Sequence, residues 1–567
     1  MLALTESFLE TARLEPIEPG TPGRPARYST EELLGLERDA LALVDRGVGA
    51  KPIAVRPALV EQIARDNANV LDSGQRSVLD GVCSSPDRVV CVVGLAGAGK
   101  TTALAAVADA LRSEGLVAFG AAPSGIAAEH LAQETGLASG TLHRLVADAK
   151  RNGGLPRRSV LIVDEAGMAD TRTLTQVLAE VERADARVVL VGDPEQLPAV
   201  GAGGLFAAIV GRYGAIRLTE NRRQLDEHER RALAELRVGE SRTYISQAAS
   251  RGRLVVTDGT AEAKAQIVAD WWRAAGTGVM IAYHRVDVAD LNAAAHTLMD
   301  EQGRLGSDRL LLPSGIEFAT GDRIICGRND RRLRVVNGTA GTIARLDPQK
   351  RELVLRTDSG REITLSAGYL DVGHARHGYA LTGHKTQGLT VDDAFVLAVG
   401  EGSLKEWGYV ALSRARYSTR LYTTQTDLEA EIPPTYRPER PDSIEQLAKA
   451  LSRPAAESTA LEQKTQALVK RCESMENERG RMSRELRDAS KELTGSGVIA
   501  RLRRGGDLRA EIAQRRDALA KLDEEIRTMN RELRSLRQEA FASTPRRRRD
   551  RGRTPTRGQE RDLGRSL

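Results

Sequence analysis

Short apolar runs alternate with longer segments of helical periodicity in two stretches of the chain, residues 71–219 and 278–424. Runs such as RVVCVVG, SVLIVDEAG and ARVVLVG show no polar alternation, which predicts strands covered on both faces, and the segments between them predict the covering helices. Alternation of this kind builds parallel sheets. Within the second stretch the pattern shifts to short β-rich pieces parted by Asn-Gly, Asp-Pro and Ser-Gly turns, from IEFATGDRIIC to REITLS. That predicts a small antiparallel barrel inserted between two parts of an α/β domain. On the N-terminal side, EPIEPGTPGRPARYS reads as a Pro- and Gly-rich linker. The helix predicted after it, STEELLGLERDALALVDRG, opens on the capping cluster Ser29-Thr30-Glu31-Glu32.

From about Ser443 the composition turns to Glu, Arg, Leu and Ala. Ile512, Leu519, Leu522, Ile526, Met529, Leu533 and Leu536 follow one another at steps of seven, three and four, a heptad seam. A looser seam runs from Leu461 through Leu468, Cys472, Met475 and Met482 to Leu493, and glycines at 495, 497, 505 and 506 part the two. The pattern predicts an antiparallel α-helical coiled-coil hairpin over 443–540, paired within the chain, and a disordered basic tail over 541–567.

Length and charge refine this picture. A chain of 567 residues holds several cores. Its formal charge of +5 resides in the tail, where nine arginines face three acids, so the rest is close to neutral. A nucleic-acid site in the body must therefore be a local groove rather than a global field. No apolar stretch reaches the length of a spanning helix, and MLALTESFLETARLEP carries acids where a signal peptide carries a basic start, so a soluble, cytoplasmic protein is expected. The four cysteines lack disulfide or metal-ligand spacing and fit a reducing compartment.

The chemistry starts at Gly94-Leu95-Ala96-Gly97-Ala98-Gly99-Lys100-Thr101, a G-x-x-x-x-G-K-T phosphate loop between a predicted strand and a predicted helix. Gly94, Gly97 and Gly99 let backbone N–H groups turn toward the phosphates of ATP, and Lys100 reaches the β and γ oxygens. The hydroxyl of Thr101, next to Thr102, suits a Mg²⁺ ion. The strand SVLIVDEAG delivers Asp164 as a second Mg²⁺ ligand and Glu165 as a base for the attacking water. A third strand brings GDPEQL, residues 192–197, to the same sheet edge.

With that third stretch the sequence resembles the superfamily 1 helicases. LDSGQRSVL looks like their adenine-reading motif, with Gln75 as reader. AAPSGIAAEHL and TLHRL look like DNA-contacting motifs, and LTENRRQ, LTGHKTQGLT and YVALSRAR match motifs IV, V and VI in order. The wording of motif V and the inserted barrel resemble the RecD-like branch, which moves 5′ to 3′. RYSTEELLGLE, GLAGAGKTTAL and VALSRAR look like the helicase half of TrwC/TraI-type conjugative relaxases. Tyr28 is the one tyrosine in the first 70 residues, and no histidine accompanies it, so relaxase chemistry is not expected.

The resemblance implies two RecA-like domains, 71–220 and 221–308 with 366–430, behind an N-terminal linker and helix at 1–70. The insertion at 309–365 would be SH3-like. It makes Arg223 and Arg414 the cations that meet the transferred phosphoryl group and Gln196 its sensor, with Arg222 beside Arg223 leaving that position open by one residue. Ser124, His143, His384, Thr386 and Gln387 become DNA contacts, although His143 also reads as a plain helix-face histidine. Because YVALS reads as a buried strand, it would fix Arg414 in place. His374 and His377 have no further ligands at workable spacing, so no metal site is read there. The implied activity is ATP-driven movement on single-stranded DNA, with a relaxase as a candidate partner. RNA as track and a non-unwinding scaffold ATPase are the alternatives.

Overall fold

The computed structural model describes residues 14–18, 27–199, 201–399, 405–425, 443–452, 459–495 and 498–541. They fall into two units, residues 1–464 and 465–567. In the first unit, six parallel strands run in the order Ser139–Thr141, Ala118–Ala122, Val160–Val163, Arg187–Gly192, Val89–Gly94, Ile216–Leu218. Val160–Val163 and Arg187–Gly192 are buried throughout, as their unbroken apolar spelling requires for central strands sandwiched between helices. A second parallel sheet orders Ala380–Thr382, Val279–Ala282, Val391–Leu397, Ala415–Thr424 and Leu254–Thr257. The α/β architecture with parallel-sheet cores is thus present.

The inserted segment forms a five-stranded antiparallel sheet in the order Glu362–Leu365, Glu352–Thr357, Ala340–Asp347, Arg323–Cys326, Ala375–His377. Its last strand lies beyond residue 365, where the turn pattern ends the insertion. Ala375–His377 is too short to carry a period and is recruited by pairing with Arg323–Cys326. Two other expectations are corrected. The expected linker carries strands at both ends, Leu14–Glu18 pairing with Arg27–Thr30. The helix Glu31–Gly47 that follows is capped by Thr30, whose hydroxyl accepts from Leu33 N at 3.1 Å, and is tied by Arg46 to Glu182 at 2.8 Å. And YVALS is not a strand: it ends the helix Lys405–Leu412, whose residues from Glu406 onward are all buried, so its unbroken apolar run reflects full burial rather than strand period.

The second unit contains most of a helix spanning Ala460–Gly495 and a helix spanning Val498–Phe541, the latter running through Gly505 and Gly506. Cys472 and Met475 pack with Ile526 and Met529, and Arg479 pairs with Asp523 at 2.6 Å. The basic tail expected after residue 541 lies outside the described residues. Among the described residues no helix is long and apolar enough to cross a membrane.

A buried ionic joint ties the insertion to the second parallel-sheet core. The Asp322 side chain is fully buried and accepts from His296 Nδ1 at 2.9 Å, from Tyr379 O–H at 2.6 Å and from Ala319 N–H at 2.6 Å. His377, left unassigned by its sequence spacing, joins here with its Nε2 3.6 Å from Asp322 and its ring stacked on His296 at 4.6 Å and 21°. The three side chains bring ligand-type atoms within 4.8 Å of one another, a meeting that the sequence spacing of His377 did not show, and His296 balances the buried carboxylate through the bond it makes to it. The hydrogen bond to Asp322 raises the His296 pKa against the opposing effect of burial, and Asp322 is held well below the usual carboxylate range. A raised histidine pKa contributes stability in full below its unfolded value of 6.5, and the contribution is lost as pH rises through the folded value. His296→Ala is therefore expected to cost about 3 kcal/mol at pH 6, where it strands a buried carboxylate, and less at pH 9. Unfolding curves of both proteins at the two pH values check this, and an equal loss at both contradicts the ionic assignment.

Candidate nucleotide and nucleic-acid site

The strand Val89–Gly94 runs straight into the phosphate loop, and the helix Lys100–Ser113 leaves it. Gly97 and Gly99 hold φ of 75° and 70°, which side-chain-bearing residues rarely adopt. Space forbids a side chain as well. A Cβ on Gly97 would stand 2.4 Å from Arg223 Cβ, and one on Gly99 would stand 2.3 Å from Gln75 Nε2. Lys100 Nζ donates to Gly94 O at 3.1 Å, while Thr101 and Thr102 occupy the first helical turn.

The strand Val160–Val163 presents Asp164 and Glu165 beside this loop. Glu165 has a left-handed backbone, φ 52°, a strained state of about 1 kcal/mol or more that aims its side chain across the cleft. Its N–H donates to Asp164 Oδ1 at 2.9 Å. The Asp164 carboxyl is 7 % exposed, and its pKa is pushed up to about 6, first by burial and then by the Glu165 charge, with Lys100 opposing. A buried carboxylate kept uncomfortable in this way, lining one cavity with Thr101, fits a divalent cation.

Residues of the second sheet close the other wall. Gln387 Nε2 donates to Glu165 Oε2 at 3.1 Å and to Gln196 Oε1 at 3.2 Å. Arg223 Nη1 donates to Ser413 O at 2.9 Å with its stem over Gly97, whereas Arg222 turns away to Asp72 at 2.7 Å. Arg223 is thus the one at the loop. Arg414 is 1 % exposed and its pKa falls to about 9, chiefly through burial and then through Arg223. It donates to Val410 O, Thr386 O, Leu389 O and Ser413 Oγ, the Thr386 and Leu389 bonds being long at 3.3 and 3.4 Å. The Tyr409 hydroxyl oxygen accepts from the phosphate-loop N–H of Ala96 at 3.3 Å.

One cavity of about 1320 Å³ joins the phosphate loop to a groove that Ser124, His384 and Lys385 also line. Of the expected DNA contacts, Ser124 caps the helix Gly125–Thr135 by accepting from Ala127 N, His143 is exposed, and His384 borders the groove with its pKa lowered by burial and Arg285. Thr386 and Gln387 do not face the groove. Thr386 is fully buried and donates its hydroxyl proton to Gly383 O at 2.8 Å, and Gln387 is spent in the nucleotide cleft. A short helix, Gly383–Thr386, turns these side chains inward, which an extended loop reading misses. Gln75 is likewise engaged, with Oε1 accepting from Asp72 N–H and Nε2 donating to Gly99 O at 3.1 Å. Sequence reasoning overlooked Lys385, whose pKa is lowered by burial and then by Arg376 and Arg285, although it stands inside the quoted motif. Arg285 and Arg376 come from separate elements and carry no local signal.

Residues 70–259 match the AAA domain family. The chain is 34 % identical over 412 residues to a conjugal transfer protein TraA of Agrobacterium fabrum, covering 70 % of this chain and 36 % of that protein. It is 31 % identical over 330 residues to the ATP-dependent RecD2 DNA helicase of Deinococcus radiodurans, covering 56 % and 44 %. The chain spans about a third of the length of the TraA relative. Among solved structures, Bacteroides Pif1 bound to single-stranded DNA is 20 % identical, with a TM-score of 0.43 over 62 % of this chain and 92 % of that one. The chain is thus similar, over the stretch that carries the phosphate loop and the paired acids, to conjugal transfer proteins and to RecD-type DNA helicases.

Proposed function

We propose that the chain is an ATP-driven motor that moves 5′ to 3′ along single-stranded DNA and opens duplex ahead of it, in the service of conjugative DNA transfer. The observation that carries this reading is the cleft itself, where Gln387 of one core holds both Glu165 and Gln196 of the other. Such a contact makes hydrolysis depend on closure, and closure moves whatever each core grips. Glu165 takes the proton of the attacking water. Lys100 and Arg223 face the phosphates, and Gln196 reads the γ-phosphate. Arg414 joins them by exchanging its two long carbonyl bonds for phosphate oxygens. Thr101 and Asp164 would hold Mg²⁺, which screens the phosphate charge. Gln75 would read adenine by giving up its bond to the Gly99 carbonyl.

Ser124, His384 and Lys385 along the groove, with Arg285 and Arg376 near Lys385 and the exposed His143, would bind the strand. Hydroxyls, amides and cations of this kind hold phosphate without reading sequence. The domain limits, the SH3-like character of the insertion and a coiled-coil hairpin belong to the same proposal, supported by the antiparallel sheet and by the packing of Cys472 and Met475 on Ile526 and Met529. The helix Ser443–Leu451, expected as the start of that hairpin, instead packs Leu447, Ala448 and Leu451 into the second core. Relatives named for conjugal transfer support a relaxase as partner. The test is ATP hydrolysis with and without single-stranded DNA, followed by strand displacement. Stimulation by DNA and displacement from 5′ tails are expected. Hydrolysis indifferent to DNA would sink the motor, and a preference for 3′ tails would reverse its direction.

A further inference from the structure

The turn after the strand Arg187–Gly192 carries three polar side chains, Asp193, Glu195 and Gln196, and each is taken by a different element of the second core. Arg237, the last residue of the helix Glu227–Arg237, donates Nη2 to Asp193 Oδ1 at 2.7 Å and Nε to Oδ2 at 3.3 Å. Asp193 is fully buried in this pair and Arg237 is 16 % exposed. Lys405, first in the helix Lys405–Leu412, reaches Glu195 Oε2 at 2.6 Å. Gln387 takes Gln196 between them.

The two cations sit differently on their helices. Arg237 ends its helix, where the backbone dipole welcomes positive charge, but Lys405 begins its helix, where the dipole opposes it. A lysine in that position has Glu195 as its compensation. Neither pair touches the phosphate loop, and both are made of protein groups alone. They hold two faces together whose separation would return Asp193 to water without its partner.

We infer that Arg237 and Lys405 are positioning residues that hold the nucleotide cleft closed and thereby keep Arg223 and Gln387 against the phosphate site. The inference rests on the ATP-hydrolysing reading. It says what the sequence motifs do not, that closure is clamped by two cations outside them, on the two acids of GDPEQL that flank the γ-phosphate sensor. Burial pulls the Arg237 pKa down, but the Asp193 bond and charge outweigh it, as expected for a pair that stays ionised in the closed cleft. If ATP must close a cleft that no longer clamps itself, its apparent affinity falls, while chemistry in the fully closed state is unchanged.

Two measurements test this on the full chain. In steady-state hydrolysis at saturating DNA, Arg237→Ala is expected to raise the KM for ATP about tenfold or more with kcat within about threefold, as for truncation of a buried charge pair. Lys405→Ala is expected to shift KM less, since Glu195 is a third exposed and better solvated. Arg237→Lys, which keeps the charge and one bond, should recover part of the loss. In the second, dyes on cysteines placed at the exposed Ser113 and Ser250 report the distance between the cores without nucleotide. The Arg237→Ala/Lys405→Ala pair should lengthen that distance, and ATP should shorten it again. An unchanged KM with an unchanged distance overturns the clamp, and so does a kcat that collapses at constant KM, which would assign Arg237 to the chemistry. If Arg237→Ala loses its circular dichroism signal, Lys405→Ala alone decides by the same criteria. A wild-type chain that hydrolyses no ATP would refute the enzymatic reading, and the dye distances would still judge the clamp.

Discussion

Replacing Glu165 by Gln is expected to leave a protein that binds Mg·ATP at least as well as the wild type and turns it over about 10²–10⁴ times more slowly. The amide keeps an oxygen where Gln387 Nε2 donates, so the cross-cleft contact survives. What disappears is the carboxylate proposed to accept the proton of water. A second effect works through the neighbouring acid. The Glu165 charge is one cause of the raised Asp164 pKa, and its removal lets Asp164 ionise more readily. Fluorescent-nucleotide titration with Mg²⁺, set beside phosphate release, checks both halves. Weakened nucleotide binding in Glu165→Gln would contradict the assignment.

Lys100→Ala is expected to fail in the opposite way, losing nucleotide affinity together with about 10²–10³ in turnover, as when a positioned electrostatic donor is removed from a transition state. Lys100 opposes the upward shift of Asp164, so its loss also makes that carboxyl harder to ionise. The two substitutions thus push one neighbouring acid in opposite directions. Nucleotide affinity at saturating Mg²⁺ across about pH 5–8 should separate them, falling off at a higher pH in Lys100→Ala and at a lower pH in Glu165→Gln than in the wild type. The same pH dependence in both variants would mean that Asp164 does not couple to nucleotide binding.

The phosphate loop, the paired acids and the alternation of buried strands with covering helices were legible in the sequence because their causes are local. Gly97 and Gly99 are required by a left-handed turn, and the central strands are spelled without polar residues because helices cover both faces. The choice between Arg222 and Arg223 was not local. One pairs with Asp72 and the other lies over Gly97, and only the packing of the two cores decides which. Thr386 and Gln387 carry the same letters whether their side chains face a groove or a core, and a four-residue helix too short to show a period turned them inward. His377 met Asp322 and His296 through pairing with a strand some fifty residues upstream. Arg237 and Lys405 look in the sequence like ordinary helix-face charges, whose partners lie on another domain. Periodicity and backbone demand are written along the chain and determine which elements form, while the meeting of side chains distant in sequence depends on how those elements pack, and the cleft is assembled from such meetings.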